Sequence, residues 1–216
     1  MANVTRISAN SNAFKFSYDE KNLDPLRRCF SNFVLPELLL PQHVSLFDGG
    51  KHRSGRITTN DLQFFYTTYG EEPLFWVSNN NQLSYSLFKE FFNLLNIDET
   101  VKKLVDCDDN IVLYSGFFVV GNHSAKEFWH MDYADGANAY TLITPLFELN
   151  YDHGNLLYKN SGEKTQTYTY KSGEAIILGE NFLHTTEPYP KNNQTRVLLS
   201  LTFGTDKLHY WGQLKQ

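Results

Sequence analysis

The stretch "YTYKSGEAIILGENFLHTTEPY", Tyr168 to Tyr189, holds three short runs rich in β-branched and aromatic residues, separated by Lys-Ser-Gly and Gly-Glu-Asn. Runs of this length bounded by such residues read as strands and turns. The same texture continues in both directions, in "NIVLYSGFFVVG" from Asn110, "AYTLITPLFEL" from Ala139, "GNLLYKN" from Gly154 and "TRVLLSLTFG" from Thr195. No helix-length pattern interrupts it. Many short strands in succession predict an antiparallel jelly roll over residues 110–206.

Residues 1–109 have a different character and are expected to buttress the jelly roll. The first 20 or so residues are polar and read as loosely held. "DPLRRCFSNFV" predicts a short helix with Asp24 as N-cap and Pro25 at its first position. "SYSLFKEFFNLLNI", Ser84 to Ile97, predicts an amphipathic helix whose apolar face carries Leu87, Phe91, Leu94 and Leu95. "DETVKKLVD" follows, with Asp98 in a capping position. The aromatic run "DLQFFYTTYGEEP" is ambiguous between helix and strand. The 216 residues suit one domain better than two. The expected fold is therefore mainly β with flanking helices, around a double-stranded β-helix core of jelly-roll, cupin-like form.

The formal net charge of -5 argues against a large nucleic-acid footprint, which needs a clustered positive field. One short basic stretch, "KHRSGR" from Lys51 to Arg56, lies in a Gly-rich turn and reads as a solvated loop that can also meet an anionic substrate. Cys29 and Cys107 have no spacing that suggests a disulfide framework or a zinc site. No apolar run is long enough to span a bilayer, and the N-terminus lacks an apolar signal core. A cytoplasmic protein is expected, with no membrane partner; the oligomeric state is left open.

Chemistry concentrates in "EFWHMDYADG", Glu127 to Gly136. In an extended segment positions i and i+2 face the same way, so His130 and Asp132 can reach one cation together. Trp129 and Met131 then face the other way and read as core packing. His184 stands at the start of a predicted strand after the Gly179–Asn181 turn. A late jelly-roll strand lies beside the early one, so His184 can complete a two-histidine, one-carboxylate set. Such a set leaves three positions of an iron open. Twelve residues on, Arg196 enters the next strand near the same end of the barrel, and an interior arginine calls for a fixed anionic partner.

The order H-x-D, H, R, at His130, Asp132, His184 and Arg196, resembles that of the iron(II) and 2-oxoglutarate-dependent dioxygenases. "GNLLYKN" and "YTYKSGEAIILGENFLHTTEPY" look like the middle and late strands of that superfamily's phytanoyl-hydroxylase-like or prolyl-hydroxylase-like branches. The resemblance covers roughly Asn110 to Asp206. It implies that His130, Asp132 and His184 hold Fe(II) as the catalytic metal. It also implies that 2-oxoglutarate is the cosubstrate with dioxygen, and that Arg196 pairs with its distal carboxylate. Many relatives place Ser or Thr two positions after the arginine; here Leu198 stands there, with Ser200 and Thr202 further along the face. Thr144, Tyr140, Tyr114 and Ser200 are candidate second anchors. The implied reaction is hydroxylation of a C-H bond with succinate and CO2 as coproducts. The expected substrate is a small molecule such as an amino acid. A peptidyl, prolyl-type substrate is the second choice, and a non-catalytic jelly-roll binding module a reading from another class. A zinc or manganese isomerase of cupin type would not require Arg196.

Overall fold

The β-rich pattern is realised as two antiparallel sheets in a computed structural model. It describes residues 4–7, 12–41, 43, 54–69, 72–122, 124–149, 154–159, 164–191 and 195–215. The strands are β1 (Thr5–Arg6), β2 (Ala13–Ser17), β3 (Ser54–Thr58), β4 (Leu62–Tyr69), β5 (Glu72–Asn79) and β6 (Ile111–Gly121), followed by β7 (Ala139–Pro145), β8 (Leu156–Lys159), β9 (Gln166–Tyr168), β10 (Glu174–Leu178), β11 (Leu183–Thr186) and β12 (Arg196–Thr205). The large sheet has the order β1-β2-β10-β7-β12-β6-β5-β4-β3, and the small one β11-β8-β9. From β6 onward the chain passes back and forth between the sheets, which is the winding of a double-stranded β-helix.

The large sheet separates two cores. On its outer face Phe118, Val120, Leu199, Leu201 and Phe203 meet helical residues including Leu26, Phe30, Phe88 and Phe91. On its inner face Leu198, Ile176 and Leu178 meet Leu156, Tyr158, Tyr168 and Phe182 of the small sheet and its flanks. The period of two along β12 sends Val197 and Leu199 outward and Arg196 and Leu198 inward. One irregularity, between Thr202 and Phe203, leaves Tyr114 of β6 as the extra residue of a bulge.

The helices are α1 (Asp24–Cys29), a π-helical turn (Phe30–Val34), α2 (Leu35–Leu38), α3 (Gln82–Leu94) and α4 (Asp98–Val101). Asp24 is the first helical residue rather than the cap, which is Leu23. α3 begins two residues before the expected start because Asn81 and Ser84 form a reciprocal capping box. Its buried face is Phe88, Phe91, Phe92 and Leu95, while Leu94 points to solvent. The larger phenylalanine rings thus win the sheet-facing stripe. Ile97 precedes α4 without a side-chain cap, so Asp98 is not in that role.

One further expectation is corrected and one ambiguity is resolved. The N-terminal segment is not wholly loose: β2 pairs with β10, and Ala13, Phe14 and Phe16 are buried. The ambiguous aromatic run is a strand, β4, leading into β5, and both extend the large sheet beyond the barrel. Of the basic stretch, residues 51–53 lie outside the described residues, while Arg56 is on β3. Cys29 and Cys107 are free thiols. Among the described residues no helix is long and apolar enough to cross a membrane.

Candidate metal centre

His130 is not in a regular strand but forms an isolated antiparallel bridge with His184, each backbone N-H donating to the other's carbonyl at 2.9 Å. This single pair fixes the two histidines side by side, with ring centroids 4.4 Å apart. Neighbouring bonds hold the segment in place. The Phe128 N-H donates to Thr185 Oγ1 at 2.7 Å, and the Asn181 N-H donates to the Tyr133 carbonyl at 3.1 Å. Glu180 accepts from the Gly136 N-H at 2.9 Å and the Asn138 N-H at 2.6 Å, which ties the loop after Asp132 to the turn before His184.

The imidazole tautomers follow from the bonds on their inner nitrogens. Nδ1 of His130 faces the Phe128 carbonyl at 2.8 Å, and Nδ1 of His184 faces the Phe182 carbonyl at 2.9 Å. A carbonyl only accepts, so each Nδ1 carries the proton and each Nε2 presents a lone pair. Both lone pairs converge on Asp132 Oδ1, at 3.6 Å from His130 and 3.7 Å from His184. Those separations exceed a hydrogen bond and suit three ligands around one small ion. One donor atom from each residue lies within 4.8 Å of the others. Burial holds the His184 imidazole below its ordinary value, against the pull of the Asp132 carboxylate, which favours the neutral form that ligates metal.

Arg196 is 4% exposed and lies on the barrel-facing side of β12. Its guanidinium donates to the Gly154 carbonyl at 2.7 Å and lies 5.3 Å from the Tyr170 ring and 5.6 Å from the Tyr189 ring. Among the described residues its Nε is buried without a hydrogen-bond partner. A buried N-H of a charged group left unpaired is costly, so the position is built for an acceptor. Gly154, at φ +77°, makes room for it: a Cβ there would lie 3.2 Å from Arg196 Nε. Burial pushes the Tyr170 hydroxyl up to about 12, against the pull of Arg196, so it stays protonated and able to donate.

The structure brings His130, Asp132 and His184 together and sets Arg196 on the barrel's inner face, but it sends the expected second anchors elsewhere. Thr144 pairs with Leu199 on the helix side of the sheet, where it accepts from Tyr18 at 2.6 Å and donates to the Glu174 carbonyl at 2.9 Å. Tyr114 donates to the Thr205 carbonyl at 2.7 Å, at the opposite end of β12 from Arg196. Tyr140 packs against Phe203 on the helix side. Ser200 shares the inner face with Arg196 but stands two pairs further along it, and Thr202 is bonded to Ser115 at 2.7 Å. Among the described residues the guanidinium is met by Gly154, Tyr170 and Tyr189, none of them singled out by the sequence. The alternation in "TYTY" carried the signal for Tyr170, since it puts Tyr168 and Tyr170 on one face. Nor are Trp129 and Met131 core residues. Met131 is 50% exposed, and Trp129 lies beneath Lys159 at 4.2 Å, with its indole N-H donating to Glu127.

This double-stranded β-helix, which carries two histidines and an aspartate together and a buried arginine on its inner face, has the fold of the non-heme, 2-oxoglutarate-dependent oxygenases. Solved structures of that kind resemble the chain over nearly its whole length. The non-heme alpha-ketoglutarate-dependent epimerase SnoN from nogalamycin biosynthesis matches with TM-score 0.58 and 11% identity, covering 91% of this chain and 78% of that one. HygX from Streptomyces hygroscopicus, solved with nickel and 2-oxoglutarate bound, matches with TM-score 0.57 and 10% identity over 91% and 84%. A Pseudomonas putida prolyl-4-hydroxylase matches with TM-score 0.50 and 11% identity over 92% and 95%. At these identities the likeness is one of fold. No protein-family model matches the sequence, and no curated protein matches it.

Proposed function

We propose that the chain is an Fe(II)- and 2-oxoglutarate-dependent oxygenase that hydroxylates a C-H bond of a small molecule. The observation that carries this reading is the buried Arg196 guanidinium, whose Nε lacks an acceptor among the described residues, in a barrel that also holds a two-histidine, one-carboxylate set. A metal site alone has no use for it; a dicarboxylate cosubstrate does. The donor set fits the metal, with two neutral imidazoles and one carboxylate leaving open positions for other ligands.

Fe(II), 2-oxoglutarate and dioxygen together supply oxidative decarboxylation to succinate and CO2, coupled to oxidation of the substrate. The protein's share is positional. His130 and His184 offer Nε2 because their Nδ1 protons are spent on backbone carbonyls. Arg196 would orient the distal carboxylate, and the Tyr170 and Tyr189 rings, 5.3 and 5.6 Å from its guanidinium, help to fix it. The small sheet and the inner face of β12 keep water from the closed end of the barrel.

Anaerobic titration with Fe(II), with and without 2-oxoglutarate, tests the reading. A weak visible charge-transfer band that requires both is expected. A band or metal affinity indifferent to 2-oxoglutarate would point to a cupin-type isomerase, and failure to bind either would leave a binding module. A succinate-release screen against amino acids, other metabolites and peptides then separates small-molecule from peptidyl substrates.

A further inference from the structure

The large sheet does not stop where the barrel does. β5, β4 and β3 continue it past β6, and the pairing register carries the barrel's inner face out with them. One row of paired residues runs Leu198, Val119, Trp76, Phe65, Arg56. The neighbouring row runs Arg196, Gly121, Leu74 and is continuous with the proposed cosubstrate site. There Leu74 and the Tyr189 hydroxyl both lie over Gly121, within 3.2 Å of where a Cβ would stand. On the other flank a third, more polar row runs Ser200, Phe117, Ser78, Gln63.

The two faces of this extension differ. Leu62, Phe64, Phe75 and Val77, on the helix side, are buried, whereas Phe65, Leu74, Trp76, Phe117 and Val119, on the other, are only half-buried. The small sheet's core reaches Val119 and, among the described residues, nothing of β3, β4 or β5. At the outer edge the Arg56 guanidinium lies 5.4 Å from the Phe65 ring, and Arg56 makes no ion pair with a described residue. Aromatic faces that are continuous with the row carrying Arg196 and end in a cation without an ion-pair partner among the described residues match a ligand that is flat, apolar and anionic at its far end.

We propose that this shelf is the substrate-binding surface, and that the substrate is an elongated aromatic acid. Its carboxylate pairs with Arg56, its ring lies on Phe65 and Trp76, and its aliphatic end passes over Val119 and Leu74 toward the metal centre. From β6 to β3 the shelf crosses three strand spacings, ~14 Å at about 4.8 Å each, so a free amino acid is too short to use it. The proposal rests on the oxygenase reading only for which end of the ligand is oxidised; binding to the shelf needs neither metal nor cosubstrate.

Calorimetric titration of the full chain without metal, using 4-octylbenzoate and its neutral amide as probes, separates the two. The acid is expected to bind at least tenfold more tightly than the amide. Arg56→Gln should remove that preference, and Trp76→Leu, which keeps an apolar side chain on β5, should weaken both probes at least fivefold. Equal affinity for acid and amide, no binding of either, or affinities unmoved in both variants would overturn the shelf. Succinate release with the acid is read separately in the metal-loaded enzyme. Tight, variant-sensitive binding without turnover upholds the shelf and counts against the oxygenase reading alone.

Discussion

Asp132 and Arg196 have different surroundings in the same barrel. Asp132 is the only charge in the metal set, and its Oδ1 is the point on which both imidazoles converge. Asp132→Ala should therefore abolish Fe(II) binding and substrate oxidation while leaving the melting temperature nearly unchanged, since its side chain is partly exposed and packs no core. Ordinary turnover in that variant would take Asp132 out of the site. Arg196→Leu should raise the 2-oxoglutarate requirement at least tenfold, equivalent to about 1.4 kcal/mol, with Fe(II) affinity unaffected. An unchanged requirement would show that another group anchors the cosubstrate. The sequence singles out the four residues with distinctive chemistry, because two histidines, an aspartate and an arginine in that combined order and spacing are informative where each alone is not. Their neighbours were hidden for a physical reason. Gly154, Tyr170 and Tyr189 reach Arg196 from three separate segments, and only the closed barrel brings those together.

Single elements supply rigidity to these side chains. The loop from His130 to Asn138 has no strand ladder of its own and depends on the turn before β11, where Glu180 accepts two of its backbone N-H groups. Glu180→Ala should free the loop carrying Asp132 and weaken Fe(II) binding about tenfold or more, as loss of an outer-sphere support commonly does. Unaltered metal affinity would mean that the His130–His184 bridge suffices by itself. On the other side of the large sheet, α3 lies so close to β6 that a Cβ on Gly116 would fall 2.3 Å from the Phe88 ring. Gly116→Ala should cost about 1–3 kcal/mol through overpacking, read as a lower melting temperature with 2-oxoglutarate affinity intact. A melting temperature equal to that of the parent would show that α3 can shift outward without loss. Neither dependence was legible in the sequence. Apolar periodicity placed a helix near α3, but which stripe faces the sheet was decided by Phe88 and Phe92 outcompeting Leu94 for burial.

At the scale of the whole molecule, one nine-stranded sheet serves both halves of the sequence, with helices on its outer face and the small sheet on its inner. The jelly-roll half was readable because its strands are short, alternating and separated by turn residues. The strands of the first half were not: β2 and β5 join the sheet through the distant β10 and β6, and the hairpins that link β3, β4 and β5 run through an aromatic stretch whose local pattern suits helix and strand equally. The halves are fastened where β12 ends. Asp206 accepts three backbone N-H groups from the loop leading into β6, those of Asp108 at 2.7 Å and of Asp109 and Asn110 at 2.9 Å. These donors hold its carboxyl down at about 2, below the ordinary carboxylate value. A carboxylate with a depressed value in the folded state stabilises the fold above its unfolded value, and that contribution is lost as pH falls through the folded one. Asp206→Asn should thus melt below the parent at neutral pH. The gap should narrow as pH drops from about 4 toward 2, since both chains then carry an uncharged group at that position. Melting curves collected across that range check it, and a gap that stays constant with pH would show that the loop is held by its other contacts rather than by the Asp206 charge.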